Sequence, residues 1–209
     1  MTPRARRTGS VSREKERSKG ALAQGKELSI VIFIGLPERE PFSAMTEEGR
    51  RLAGALLSSR LLPGDPANGA PWKDQKGRPG RLFRPDDSLY FLTDSRDTAA
   101  DLEGRLWLTP GRLIAGALSD APESSAAPIE YGWTPRPRVP RSAVFEFGTE
   151  LPLPNLRPFR LIFECVAPDS ASKERSRRRW KEFASSGNRV FYRALGSNKR
   201  IPSSRTISD

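Results

Sequence analysis

Two clusters of cations carry the clearest chemistry in this chain. The first is Arg4, Arg6, Arg7, Arg13, Lys15, Arg17, Lys19 and Lys26; the second is Arg177, Arg178, Arg179 and Lys181. Guanidinium and ammonium groups at such density neutralise phosphates and release condensed counterions, which gives affinity for a polyanion without sequence preference. Trp180 and Phe183 stand beside the second cluster, where an aromatic ring can stack on an exposed base. The competing reading is an amphipathic helix that docks Trp180 and Phe183 on the body of the protein and turns its arginines to water. A basic amphipathic helix also suits a membrane surface, but two aromatics make a small apolar face, so no membrane partner is expected.

Other reactive patterns are weaker. Asp94, Asp97 and Asp101 would share a helix face and could hold Mg²⁺ for a metal nuclease, while Asp86-Asp87 and Glu47-Glu48 are further carboxylate pairs. Carboxylates near element ends are more often caps and solvated turns. Gly35-Leu36-Pro37-Glu38-Arg39-Glu40-Pro41 follows a strand and precedes a helix, as a phosphate loop would. It has one glycine, two prolines without amides and two carboxylates that repel phosphate, so it fails that test. Cys165 sits in an apolar alternating run and reads as a structural thiol, because the chain has no histidine to activate it. With no histidine and one cysteine, an intramolecular disulfide and a Cys/His zinc site are excluded, and neither a cofactor nor catalysis is expected.

The elements that position these groups read as short and Pro/Gly-punctuated. Ile30–Ile34 is a continuous β-branched run, a strand buried on both faces. A helix capped by Ser43 or Thr46 runs to about Ser59, with Met45, Gly49, Leu52 and Leu56 at helical spacing, and Pro63 ends it. Pro63 to Arg81 reads as a loop containing Trp72. Strands are expected at 87–93, 105–108, 129–133, 143–147, 159–166 and 190–192, with one helical turn at 98–102 and a hairpin joining 105–108 to 113–118. Phe145 and Phe147 fall on one face of their strand and Glu146 on the other. Trp107, Trp133 and Phe147 read as core. Pro135 to Arg141, with proline at alternate positions, reads as extended and rigid. Lys173–Ala184 has helical potential, and Glu14–Lys19 could become helical on a partner.

Charge is confined to the ends. The chain has 209 residues and a net charge of +11; residues 1–26 carry +6, residues 168–209 carry +7, and the 141 residues between carry −2. The expected organisation is a disordered basic arm over 1–26, a body over 27–167 and a basic C-terminal segment over 168–209. The start of the chain is no secretory signal, and its apolar runs are too short to span a bilayer. Many short strands with one confident helix favour a sandwich or barrel over alternating βαβ units.

A basic arm ahead of a Pro/Gly-punctuated β body resembles the coat proteins of small plant positive-strand RNA viruses, of the tombusvirus, sobemovirus and ourmiavirus kind. The resemblance rests on the Arg4–Lys26 arm and the strand pattern from Ser29 to Val166. It implies a mainly β fold, a jelly-roll-like antiparallel sandwich with one inserted helix, many copies in a closed shell, and an arm that packages genomic RNA through its phosphate backbone. It would place the protein in virions and host cytoplasm, with nuclear import through the arm open. The alternative is a monomeric RNA-binding or ribosome-associated protein with basic extensions.

Overall fold

The computed structural model describes residues 29–59, 72–73, 79–80, 83–107, 114 and 116–195. The jelly-roll expectation is overturned. Among the described residues seven strands form one sheet in which every pairing is parallel. They are β1 (Ser29–Ile34), β4 (Leu89–Leu92), β5 (Ala117–Leu118), β6 (Ile129–Gly132), β7 (Ala143–Glu146), β8 (Leu161–Cys165) and β9 (Arg189–Ala194), in the order β5-β6-β4-β7-β8-β1-β9. A two-residue antiparallel pair, β2 (Trp72–Lys73) with β3 (Pro79–Gly80), lies apart from it. The helices are α1 (Pro41–Ser59), α2 (Arg96–Trp107), the single turn α3 (Leu153–Leu156) and α4 (Ser170–Ser185). The sheet continues past residue 167, because β9 is paired along the whole of β1.

The central strands are buried on both faces. Ile30 to Phe33 and all four residues of β4, β6 and β7 are buried. Alternation then splits the core in two. Val31, Phe33, Leu89, Phe91, Phe145 and Phe163 face α1 and α2. Ile30, Ile32, Tyr90, Leu92, Val144 and Ile162 face α3 and α4. Such two-sided burial belongs to parallel sheets, where crossover helices cover both faces. The first face holds most of the rings: Phe91 stacks on Tyr131 at 5.3 Å, and Phe145 meets Phe91 edge-on at 5.6 Å.

The helices follow local rules. Pro41 opens α1, where a missing amide costs nothing. Thr46, Gly49, Leu52 and Leu56 are buried beneath it, and a Cβ at Gly49 would come within 3.0 Å of Phe91 Cε1. The helix thus begins at Pro41, a few residues before the Ser43 or Thr46 cap expected from the sequence. Ser95 caps α2, its hydroxyl accepting from the Thr98 amide at 3.2 Å, and Ala99, Leu102 and Leu106 form the buried stripe. Arg105 to Trp107, expected to open a strand, are the last turn of this helix, and Ala117–Leu118 pairs in parallel with β6; residues 108–113 of the expected hairpin lie outside the described residues. Asp169 caps α4 by accepting from the Ser172 amide at 2.7 Å, and Gly187 leaves it at φ 78°.

Between β6 and β7 the proline-rich segment is bent, not a rigid extended rod. The Thr134 hydroxyl donates to the Arg136 carbonyl at 2.7 Å, and the Tyr90 hydroxyl donates to the Thr134 carbonyl at 2.8 Å. Gly132, the last residue of β6, is closely packed. A Cβ there would lie 2.5 Å from Tyr90 Oη and would collide with the Ser119 hydroxyl, itself bonded to Glu130. Gly132→Ala is expected to lower unfolding stability by about 1–3 kcal/mol, the usual range for overpacking. Urea denaturation checks this, and an unchanged midpoint would show that the loop yields at no cost.

Candidate functional site: a basic helix over a buried carboxylate pair

The spacing of α4 sets which cations reach solvent. Ser176, Arg179 and Phe183 point into the protein, and Trp180 is half-buried against the second core. Lys173, Arg177, Arg178 and Lys181 are exposed. The second cluster is thus divided: Arg177, Arg178 and Lys181 form an outward basic face, while Arg179 is committed inside and is not available to a phosphate. The docked-helix reading of Trp180 and Phe183 holds. The first cluster, Arg4 to Lys26, lies outside the described residues.

Arg179 enters the protein because two carboxylates wait there. Glu146 ends β7, and Glu164 is its register partner on β8. Equal register and alternation put both on the face under α4, one strand spacing apart, about 4.8 Å. Arg179 Nη2 donates to Glu146 Oε1 at 2.7 Å and to the Leu151 carbonyl at 3.1 Å, and Nη1 donates to Glu164 Oε2 at 3.3 Å. The Leu151 amide donates to the same Glu146 oxygen at 2.6 Å. At the rim, Arg175 pairs with Glu150 at 3.0 Å.

One guanidinium cannot offset the burial of two carboxylates. Burial pushes Glu146 up to about 7, with Glu164 adding to the rise, while the hydrogen bond and charge of Arg179 and the Leu151 amide hold it down. Burial likewise raises Glu164, opposed by the Arg179 charge and the Ser176 hydroxyl. Glu146 Oε2 and Arg179 Nε have no hydrogen-bond partner among the described residues. No feature of the sequence singled out Glu146 or Glu164 as partners. The available signal was a glutamate at the inward-alternating position of two strands whose neighbours are all apolar.

A second buried pair is fully satisfied. Arg141 Nε donates to Glu130 Oε2 at 2.9 Å, and its other nitrogens donate to the Ala127 and Ser124 carbonyls. Glu130 Oε1 also accepts from the Ser119 hydroxyl and the Arg138 amide, both at 2.8 Å. This network ties the loop before β7 to β6. On the opposite face, a shallow groove between α1 and α2 is lined by Ser43, Thr46, Glu47, Arg50 and Arg105, with the Arg105 guanidinium 5.3 Å above the Phe42 ring.

The other candidates have structural placements. Asp97 and Asp101 lie on α2, where Asp101 pairs with Arg105 at 2.8 Å; Asp94 precedes the helix. Asp87 is buried and paired with Arg160. Among the described residues no group of three or more His, Cys, Asp or Glu side chains is arranged to hold a metal. Glu48 is buried and pairs with Arg51 at 3.2 Å, and Glu47 is exposed beside Arg50. Burial, with the charges of Glu48 and Glu164, raises the Cys165 thiol well above its ordinary value. Of the aromatics expected in the core, Phe147 is buried and Trp133 packs against the first cluster, but Trp107 is 46% exposed at the end of α2. Among the described residues no helix is long and apolar enough to cross a membrane.

The architecture and the site together define a class: an all-parallel α/β domain with helices on both faces, whose candidate site is a surface of charged contacts. The chain belongs to the DNA polymerase III chi subunit (HolC) family, whose model matches residues 80–190, from the end of β3 to the start of β9. No curated protein gives a significant match. The family overturns the viral coat-protein reading, and with it the shell of many copies, the RNA partner, the virion and the nuclear import; the monomeric RNA-binding or ribosome-associated alternative is not supported either. A bacterial replication subunit is cytoplasmic.

Arg179→Ala is expected to lower stability by about 3–5 kcal/mol, because it leaves buried carboxylates without a cation. Arg177→Ala and Arg178→Ala are expected to stay within about 0.5 kcal/mol of the parent, as exposed positions do. Guanidinium denaturation of the three variants separates them, and equal midpoints would contradict the inward placement of Arg179.

Proposed function

We propose that this chain works as a non-catalytic accessory subunit of bacterial DNA polymerase III. In this reading it holds single-stranded-DNA-binding (SSB) protein against the clamp loader, the two partners of the chi subunit. The observation that carries the proposal is the family match over residues 80–190, which takes in β4 to α4 and so both buried ion networks.

The outward face of α4 is the part of the surface best suited to one of these contacts. Arg177, Arg178 and Lys181 are exposed on a helix whose inner side is fixed by Arg179 and Phe183. A rigid row of cations loses little freedom on binding and favours an acidic segment of SSB, with electrostatic attraction speeding encounter. The arm from Arg4 to Lys26 adds a second basic region, one that would meet the DNA backbone near the same assembly.

Isothermal titration of the full chain with SSB, and separately with the clamp loader, tests this. Binding to both is expected. Reversing the three charges together, Arg177→Glu, Arg178→Glu and Lys181→Glu, is expected to weaken SSB at least about tenfold at low salt while leaving the clamp loader unaffected. Loss of neither interaction would remove α4 from the reading, and failure of the parent chain to bind either partner would remove the subunit reading itself.

A further inference from the structure

The surplus of negative charge beneath α4 gives that helix a control of its own. Three carboxylates, Glu146, Glu164 and Glu150, face two guanidinium groups, Arg179 and Arg175. Among the described side chains the remaining neighbours offer no charge: β1 presents Ile32 level with Glu164, β4 presents Leu92 level with Glu146, α3 presents Leu156, and α4 adds only the Ser176 hydroxyl. The inner pair is buried, with Glu146 2% and Glu164 3% exposed, and one oxygen of Glu146 has no hydrogen-bond partner among the described residues. Two carboxylates in register on adjacent strands, sharing one cation away from water, are stabilised when one of them holds a proton.

We infer that the Glu146–Glu164 pair under Arg179 is a proton-operated latch: with one proton on the pair α4 is held against the sheet, and loss of that proton loosens the helix that carries Arg177, Arg178 and Lys181. The effect on docking rests on the function proposed above; the latch itself does not.

The sign follows from linkage. In the seated form Glu146 releases its proton near 7, whereas in an opened, hydrated form it does so near its ordinary 4.5. Between these values the seated form binds more protons than the open one, so seating weakens as pH rises through the interval and levels off above it. Below the interval both forms are protonated and the seating is at its strongest. The direction is opposite to that of an ion pair whose carboxylate is held below its ordinary value.

Hydrogen–deuterium exchange of the full chain tests the latch at pH 5, 6, 7 and 8, after correction for intrinsic exchange. Protection of the amides of 170–185 is expected to fall at least about tenfold between pH 5 and pH 7 and to change little above, with the amides of β4 as an internal reference. Glu146→Gln, which keeps the shape of the protonated acid, is expected to abolish the pH dependence and retain the fold; Glu164→Gln is expected to reduce it. Protection that is flat with pH in the parent, or that falls equally in Glu146→Gln, overturns the latch. Affinity for SSB is read over the same pH series: a working latch with pH-independent affinity would discard α4 as the docking face and leave the latch standing.

Discussion

Two-sided burial of a parallel sheet is the constraint from which the rest of this structure follows. Parallel neighbours cannot be joined by tight turns, so each connection must cross a face of the sheet and bring a helix or a packed loop with it. Covering both faces removes the solvated side on which a polar strand residue would normally lie. A charged residue inside a strand then has nowhere to go but under a covering element, and that element must supply a counter-charge. Among the described side chains Glu130, Glu146 and Glu164 are the strand residues in that position, and Arg141 and Arg179 are the answers, one from a loop and one from a helix.

The two answers differ in completeness. Glu130 and Arg141 form a one-to-one pair in which every described partner is a donor or acceptor of the right kind, from Ser119, Arg138, Ala127 and Ser124. Such a network fixes a loop in one geometry, at little net cost or gain in stability. Glu146, Glu164 and Arg179 are two-to-one, with one Glu146 oxygen and the Arg179 Nε lacking a hydrogen-bond partner among the described residues. The first network locks; the second is left with a titration in the neutral range. The element it secures is also the one that presents cations outward, so α4 joins the buried electrostatics to the surface at a single residue step, from Arg178 to Arg179.

Much of the strand layout could be read from the residues. Ile30–Ile34 announces two-sided burial by being apolar without alternation, and the runs at 89–92, 129–132, 143–146 and 161–165 were each placed within a few residues. The fold class was not legible for a physical reason. The crossover α2 is a helix of low hydropathy, with Ala99, Leu102 and Leu106 its only buried side chains, so it read as a single turn followed by a strand. With that helix hidden, β4 and its successors looked like consecutive strands, which suggests hairpins. The phrase Phe145-Glu146-Phe147 misled in the same way: alternation ordinarily signals one wet face, and here the polar position is covered by Arg179.

The charge map does not by itself point to one kind of molecule. Basic ends around a neutral body describe any protein that works beside a polyanion, and a replication subunit meets that condition as well as a coat protein does. What separates the two is how the basic segment after residue 167 is built. A tail meant to follow a packaged genome needs no inward face. This one has an Asp169 cap, a Gly187 exit, an arginine sunk into a carboxylate pair and a returning strand hydrogen-bonded to β1. Each feature spends sequence on fixing the orientation of Arg177, Arg178 and Lys181, and fixed orientation favours a shaped partner over a disordered polymer. That distinction lies in the spacing of Arg179 from Ser176 and Phe183, and it becomes visible only when the buried glutamates opposite them are known.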